Sequence, residues 1–147
     1  MINENFGHII ADKVLARVGE VAEKEPWVKH LVRCHNDNFA LVTELLSEKE
    51  LKTKLLEMFD KMDSLPEDPS YKIYYRCGAV SSEHSIAGKD MVADFAKLAQ
   101  AQGIKPSATE VIIYTESMKD KYFKAKKIVR EIPRALKDKE LIVYIQP

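Results

Sequence analysis

The stretch LPEDPSYKIYYRC, Leu65 to Cys77, separates two kinds of sequence. Before it, apolar residues recur at helical spacing. Within it, Pro66 and Pro69 stop any helix, because each lacks the N–H that a helix interior needs. After Pro69 the spacing becomes that of strands: Lys72 and Arg76 alternate with Ile73 and Cys77, as in a half-exposed strand rich in tyrosine. The prolines mark the boundary between a helical subdomain, residues 1–65, and an α/β subdomain, residues 70–147, read as packing into one compact domain.

Upstream, Ile10, Val14, Val18 and Val21, flanked by Ile9, Leu15 and Ala22, predict a helix that stops before Pro26. Trp27, Val28, Leu31 and Val32 predict a short second helix, interrupted by the polar run HNDN. Phe39, Leu41, Val42, Leu45 and Leu46 predict a third. Ser47 and Glu50 form the S-x-x-E pattern of a capping box, opening a fourth helix with Leu51, Leu55, Leu56, Phe59 and Met62 on its apolar face.

Downstream, VIIYT (Val111–Thr115) and LIVYI (Leu141–Ile145) are nearly continuous apolar runs, which suit strands covered on both faces in a parallel sheet. Helical patterns lie between the strands, over about 86–102 with Gly103 as the closing residue, and over about 119–132 ending at Pro133. The expected fold is therefore α/β: an N-terminal helical layer of three or four helices packed on a C-terminal βαβαβ unit with a small, mainly parallel three-stranded sheet. The apolar C-terminal strand is expected to be central or to continue across a homodimer, since an open apolar edge invites pairing.

The chain has 147 residues, with 23 Lys and Arg balancing 23 Asp and Glu, and only eleven Gly and Pro. That composition excludes disordered and fibrous classes, and the length is enough for a core without disulfides. The start MINENFGHIIADKV lacks the basic segment and apolar run of a signal peptide, and no stretch approaches the roughly 20 apolar residues of a membrane span. A cytoplasmic location, no membrane contact and no cofactor are expected, with Cys34 and Cys77 as thiols. Charge is unevenly placed: residues 1–70 carry 9 basic and 14 acidic side chains, and residues 71–147 carry 14 and 9. Any polyanion would favour the second half.

Ligands of open α/β sheets gather beyond the carboxyl ends of the strands, which directs attention to Cys77–Ser85 and Thr115–Ser117. A nucleotide-triphosphate loop is excluded there. EHSIAGKD places Glu83 where a glycine should start the phosphate wrap, and Asp90 where a hydroxyl should hold magnesium. Ser81, Ser82 and Ser85 near a helix start, with Lys89, Thr115 and Ser117, could bind a small anion such as a nucleotide; the simpler role for one serine is the helix cap. Cys77 with His84 as base is the candidate nucleophile pair, set against alternation that turns Cys77 toward the core with Ile73 and Tyr75. His30 and Cys34, four apart, share one face of a predicted helix and are the candidate metal ligands, without the compact spacing that marks a zinc site.

The segment KDKYFKAKKIVREIPRALKDKE is the most definite surface feature. Tyr122, Ala125, Ile128, Val129 and Ile132 form an apolar face expected to be buried, while Lys119, Lys126, Lys127 and Arg130 gather opposite it with Phe123 among them. The sequence thus points to a small binding or regulatory protein acting through surface contacts, with an acidic protein as partner or, less favoured by the neutral net charge, nucleic acid. The alternatives are a binder of a small anionic ligand at the strand ends and a cysteine-dependent enzyme using Cys77 and His84, with an enzyme the less favoured class.

Overall fold

The computed structural model describes residues 2–65, 68–82 and 91–140. The chain divides into two compact units, Met1–Tyr114 and Thr115–Pro147. The proline-containing stretch at 65–70 lies inside the first unit.

The first unit opens with α1, Ile2–Glu23. Its helical run is broken at Gly7, whose φ of 77° and ψ of 170° lie where only glycine is at ease. From there the expected stripe faces inward, with Val14, Val18 and Ala22 buried. The two helices predicted next are instead a hairpin: β1, Val28–His35, runs antiparallel to β2, Asn38–Thr43, with Leu31 opposite Leu41 and His35 opposite Asn38. Asn36 and Asp37 make the two-residue turn, and Asn36 adopts the left-handed conformation (φ 50°) that asparagine tolerates better than most residues. Spacing misleads here because Trp27, Val28, Leu31 and Val32 satisfy a helical stripe by accident. The half-buried residues Leu31, Phe39, Leu41 and Thr43 fall instead on one side of a two-stranded ribbon with bulges after Val28 and Arg33.

α2, Glu48–Asp60, begins at the predicted capping box. The Ser47 hydroxyl accepts from the Glu50 N–H, and the Glu50 carboxylate accepts from the Ser47 N–H at 3.1 Å. Leu51, Leu55, Met58 and Phe59 are buried as the stripe required. At the far end Arg17 of α1 donates to the carbonyl of the C-cap residue Lys61 at 2.7 Å and to Ser64 O, in the segment that follows the helix, at 3.0 Å.

β3 covers Arg76–Ala79, shorter than the strand read from Tyr71. Before Arg76 the pairing fades: the Ile73 N–H donates to Asp63 O at 2.7 Å, and Tyr75 keeps one bond to the neighbouring strand, its carbonyl accepting from the Glu110 N–H at 2.8 Å, while its own N–H donates to Thr109 Oγ1 at 3.2 Å. β4, Glu110–Ile113, pairs with β3 in parallel, Gly78 opposite Ile112, and α3, Val92–Gln100, connects them. Cys77, Ala79, Val111 and Ile113 turn one face of this pair into the core formed with Leu51, Leu55, Met58 and Phe59 of α2. The other face meets α3 at Gly78. A Cβ there would lie 2.0 Å from Ala96 O and 2.3 Å from Gln100 N, so helix and strand touch backbone to backbone. Gly103, expected as the left-handed cap of this helix, has no positive φ and instead leaves room for the Arg76 side chain.

The fold is thus mixed helix and sheet, with a two-stranded parallel pair among the described residues. The predicted third strand, LIVYI at 141–145, and the homodimer contact assigned to it lie outside the described residues, so the three-stranded βαβαβ arrangement is not part of the observed fold. Among the described residues no helix is long and apolar enough to cross a membrane.

The second unit contains α4, Glu116–Lys137, which runs through Pro133 rather than ending there. One lost N–H costs a single bond, and the helix closes four residues later. Lys139, left-handed at φ 57°, ends it in a Schellman motif: the Lys139 N–H donates to Leu136 O at 3.2 Å and the Glu140 N–H to Ala135 O at 2.8 Å. A lysine in place of the usual glycine leaves no sequence signal for this stop.

Gly78→Ala should destabilise the protein by at least about 2 kcal/mol, because backbone must move to admit the methyl group. Gly19→Ala is the control: only Leu31 Cδ2 approaches, at 3.9 Å, and the change should be neutral to about 1 kcal/mol stabilising. Urea unfolding of the two variants measures both.

Candidate functional site

At the carboxyl end of β3, Ser81 is fully buried, and its hydroxyl has no hydrogen-bond partner among the described residues. Ser82 is anchored on the β2–α2 connection, its N–H and its hydroxyl both donating to Leu46 O, at 3.2 and 2.9 Å. Neither serine caps α3, whose N-terminal flank is Met91 with no side-chain bond to the helix. His84, Ser85 and Lys89 lie outside the described residues. Tyr114, which follows β4, is buried and stacks on Phe95 of α3 at 4.4 Å between ring centres. In the second unit, Thr115 is the N-cap residue of α4 and its hydroxyl lies 3.0 Å from that of Ser117.

Cys77 packs against the core, and burial pushes its thiol up to about 12. A thiol held there stays protonated at neutral pH, whereas nucleophilic catalysis needs the thiolate. Tyr75, on the same face of the chain, is likewise pushed up to about 12 by burial, and its hydroxyl donates to Met62 O at 2.8 Å.

His30 and Cys34 lie on the exposed side of β1, not on a helix. Four residues of strand separate them by about 13 Å along the chain, too far for one ion, whereas one turn of helix would have stacked them. Among the described residues no three His, Cys, Asp or Glu side chains are grouped to hold a metal.

The predicted partner-binding residues all fall on α4. The second unit carries nine basic against five acidic residues, and the first 14 against 18, so the charge asymmetry follows the division into units. Lys119, Lys126, Lys127 and Arg130 share one flank of the helix with Phe123, which is 52% exposed. Lys126 Nζ sits 4.6 Å from the Tyr122 ring centre, close enough for a cation–π contact. Among the described residues neither Lys127 nor Arg130 enters an ion pair, while Arg134 is engaged with Asp138 at 3.9 Å and Glu140 at 3.8 Å. Asp120, Phe123, Lys124 and Lys127 line a shallow depression on this side.

The apolar face of α4 differs from expectation. It is not buried: Ile128 is 62% exposed, Val129 66% and Leu136 59%, and no residue of the helix is buried. Helical spacing correctly puts these side chains on one face, but spacing carries no information about what covers it.

Comparison with protein families, curated proteins and solved structures gave no match.

At pH 8 a thiol reagent should label Cys34 in the native protein and reach Cys77 at least about 100-fold more slowly, with both labelled quickly in denaturant. Equal native rates would mean that Cys77 is not held in the core.

Proposed function

We propose that this is a binding or regulatory protein that acts through surface contacts, with α4 as its contact element and an acidic protein surface as its partner. The observation that carries the proposal is the exposed basic flank of α4, where Lys127 and Arg130 make no ion pair among the described residues and Phe123 stands exposed beside them. Charges already neutralised by neighbours add little to recognition. Uncommitted ones beside an aromatic ring can form charge-assisted bonds to carboxylates while the ring supplies apolar contact.

Nucleic acid is the weaker fit among polyanions. The whole chain has no net positive charge, and Asp120 and Glu131 break the basic side of the helix.

The test compares a fluorescently labelled oligoglutamate peptide with an oligouridylate of equal charge by anisotropy on the full chain. The peptide should bind more tightly than the RNA, and raising salt from about 50 to about 500 mM should weaken it at least about 10-fold. Lys127→Glu with Arg130→Glu should weaken it similarly. Binding indifferent to salt and to both reversals, or tighter binding of the RNA, would remove the acidic-partner reading.

A further inference from the structure

The apolar side of α4 has an internal order that a generic amphipathic helix lacks. Met118, Tyr122, Ala125, Val129, Ile132 and Leu136 are separated by four, three, four, three and four residues, the a and d positions of a heptad repeat kept without a break along about 27 Å of helix. Ala125, the smallest, is at the middle, where it lets a second backbone approach closely. Ile128 and Ala135 widen the seam on one side.

The charged residues that flank the seam in its N-terminal half are Lys119, Lys121 and Lys126, with no carboxylate at the equivalent flanking positions there. That decides what can lie along it. In a parallel pairing of two copies Lys121 would face Lys126, and in an antiparallel pairing centred on Ala125 and Val129 Lys126 would face its own counterpart; like charges at these positions disfavour self-association. A membrane surface would favour the basic flank but has no use for a strict three-four repeat, and Phe123, the more apolar of the helix's two aromatic side chains, lies off the seam.

We infer that the seam of α4 receives an amphipathic helix of a partner protein, apolar at its own a and d positions and carrying Glu or Asp at the positions that flank them. This rests on the acidic-partner reading and adds the partner's shape: the carboxylates are arrayed along a helix that buries the exposed stripe, rather than scattered over a surface. A 22-residue helix with no buried residue is marginal by itself, so pairing along the seam would also stabilise α4.

The experiment uses the full chain and two synthetic 21-residue peptides with Leu at every a and d position, one with Glu and the other with Lys at the flanking positions. The Glu peptide should bind at least about 10-fold tighter than the Lys peptide. Lys121→Glu with Lys126→Glu should reverse that preference, a result that mere loss of helix cannot produce. Val129→Gln with Ile132→Gln, which keeps good helix formers in place, should weaken the Glu peptide at least about 10-fold, with circular dichroism confirming the helix content of the variant.

Equal binding of the two peptides, binding of neither, or a free chain that is a dimer dissociated by Val129→Gln with Ile132→Gln overturns the inference. Where the seam variants have no effect but oligoglutamate still binds through Lys127 and Arg130, the helical partner is lost and the acidic-partner reading survives. Loss of both responses removes both.

Discussion

The first unit depends on how closely α3 can approach the β3–β4 pair. Each of these strands has only four residues, and a pair that short persists when both faces are covered. One face is closed by α2 through Leu51, Leu55, Met58 and Phe59 against Ala79, Val111 and Ile113. The other is closed by α3 lying on Gly78, where the Ala96 carbonyl occupies the space that any Cβ would need. The Phe95–Tyr114 stack beside that contact, and the Phe59–Tyr75 stack on the α2 side at 4.9 Å, show aromatic rings sealing both layers. Arg17 then ties α1 to the carboxyl end of α2, which joins the N-terminal helix to the same core.

Much of this arrangement is legible in the amino-acid sequence. The capping box at Ser47 and Glu50 is a local pairing of two side chains with two backbone donors, so the sequence specifies it without help from the rest of the chain. The apolar run of β4 and the inward face of α1 reflect burial that spacing alone records. The hairpin is not legible in this way, because Leu31, Val32, Leu41 and Val42 fit both helical and strand periods. Its decisive signal is short: two turn-forming residues, Asn36 and Asp37, between runs containing β-branched residues. Reading those runs as helix also puts His30 and Cys34 on one helical face, suggesting a metal pair that a strand cannot offer.

The candidate sites divide according to what each one requires. A reactive Cys77 requires a stabilised thiolate, and its alternation with Ile73 and Tyr75 already points inward, where burial opposes that charge. The basic flank of α4 requires only an exposed amphipathic helix, and its residues are on one. What the sequence does not disclose is that the apolar face beside that flank is exposed as well. An apolar stripe read from spacing looks the same whether its own chain or a partner covers it, and only the surroundings of Ile128, Val129 and Leu136 distinguish the two.

The two units differ in one central respect: α4 is a helix with an open apolar seam, while β3 and β4 belong to a covered core. Amide hydrogen exchange on the free chain tests this directly. The amides of Cys77, Ala79, Ile112 and Tyr114, which face the partner strand, should exchange slowly, near the limit set by global unfolding, and those of 122–136 other than Pro133 far faster. Protection along α4 as strong as that of β3 and β4 in the free chain would mean that the seam is already covered, and would contradict an open seam awaiting a partner.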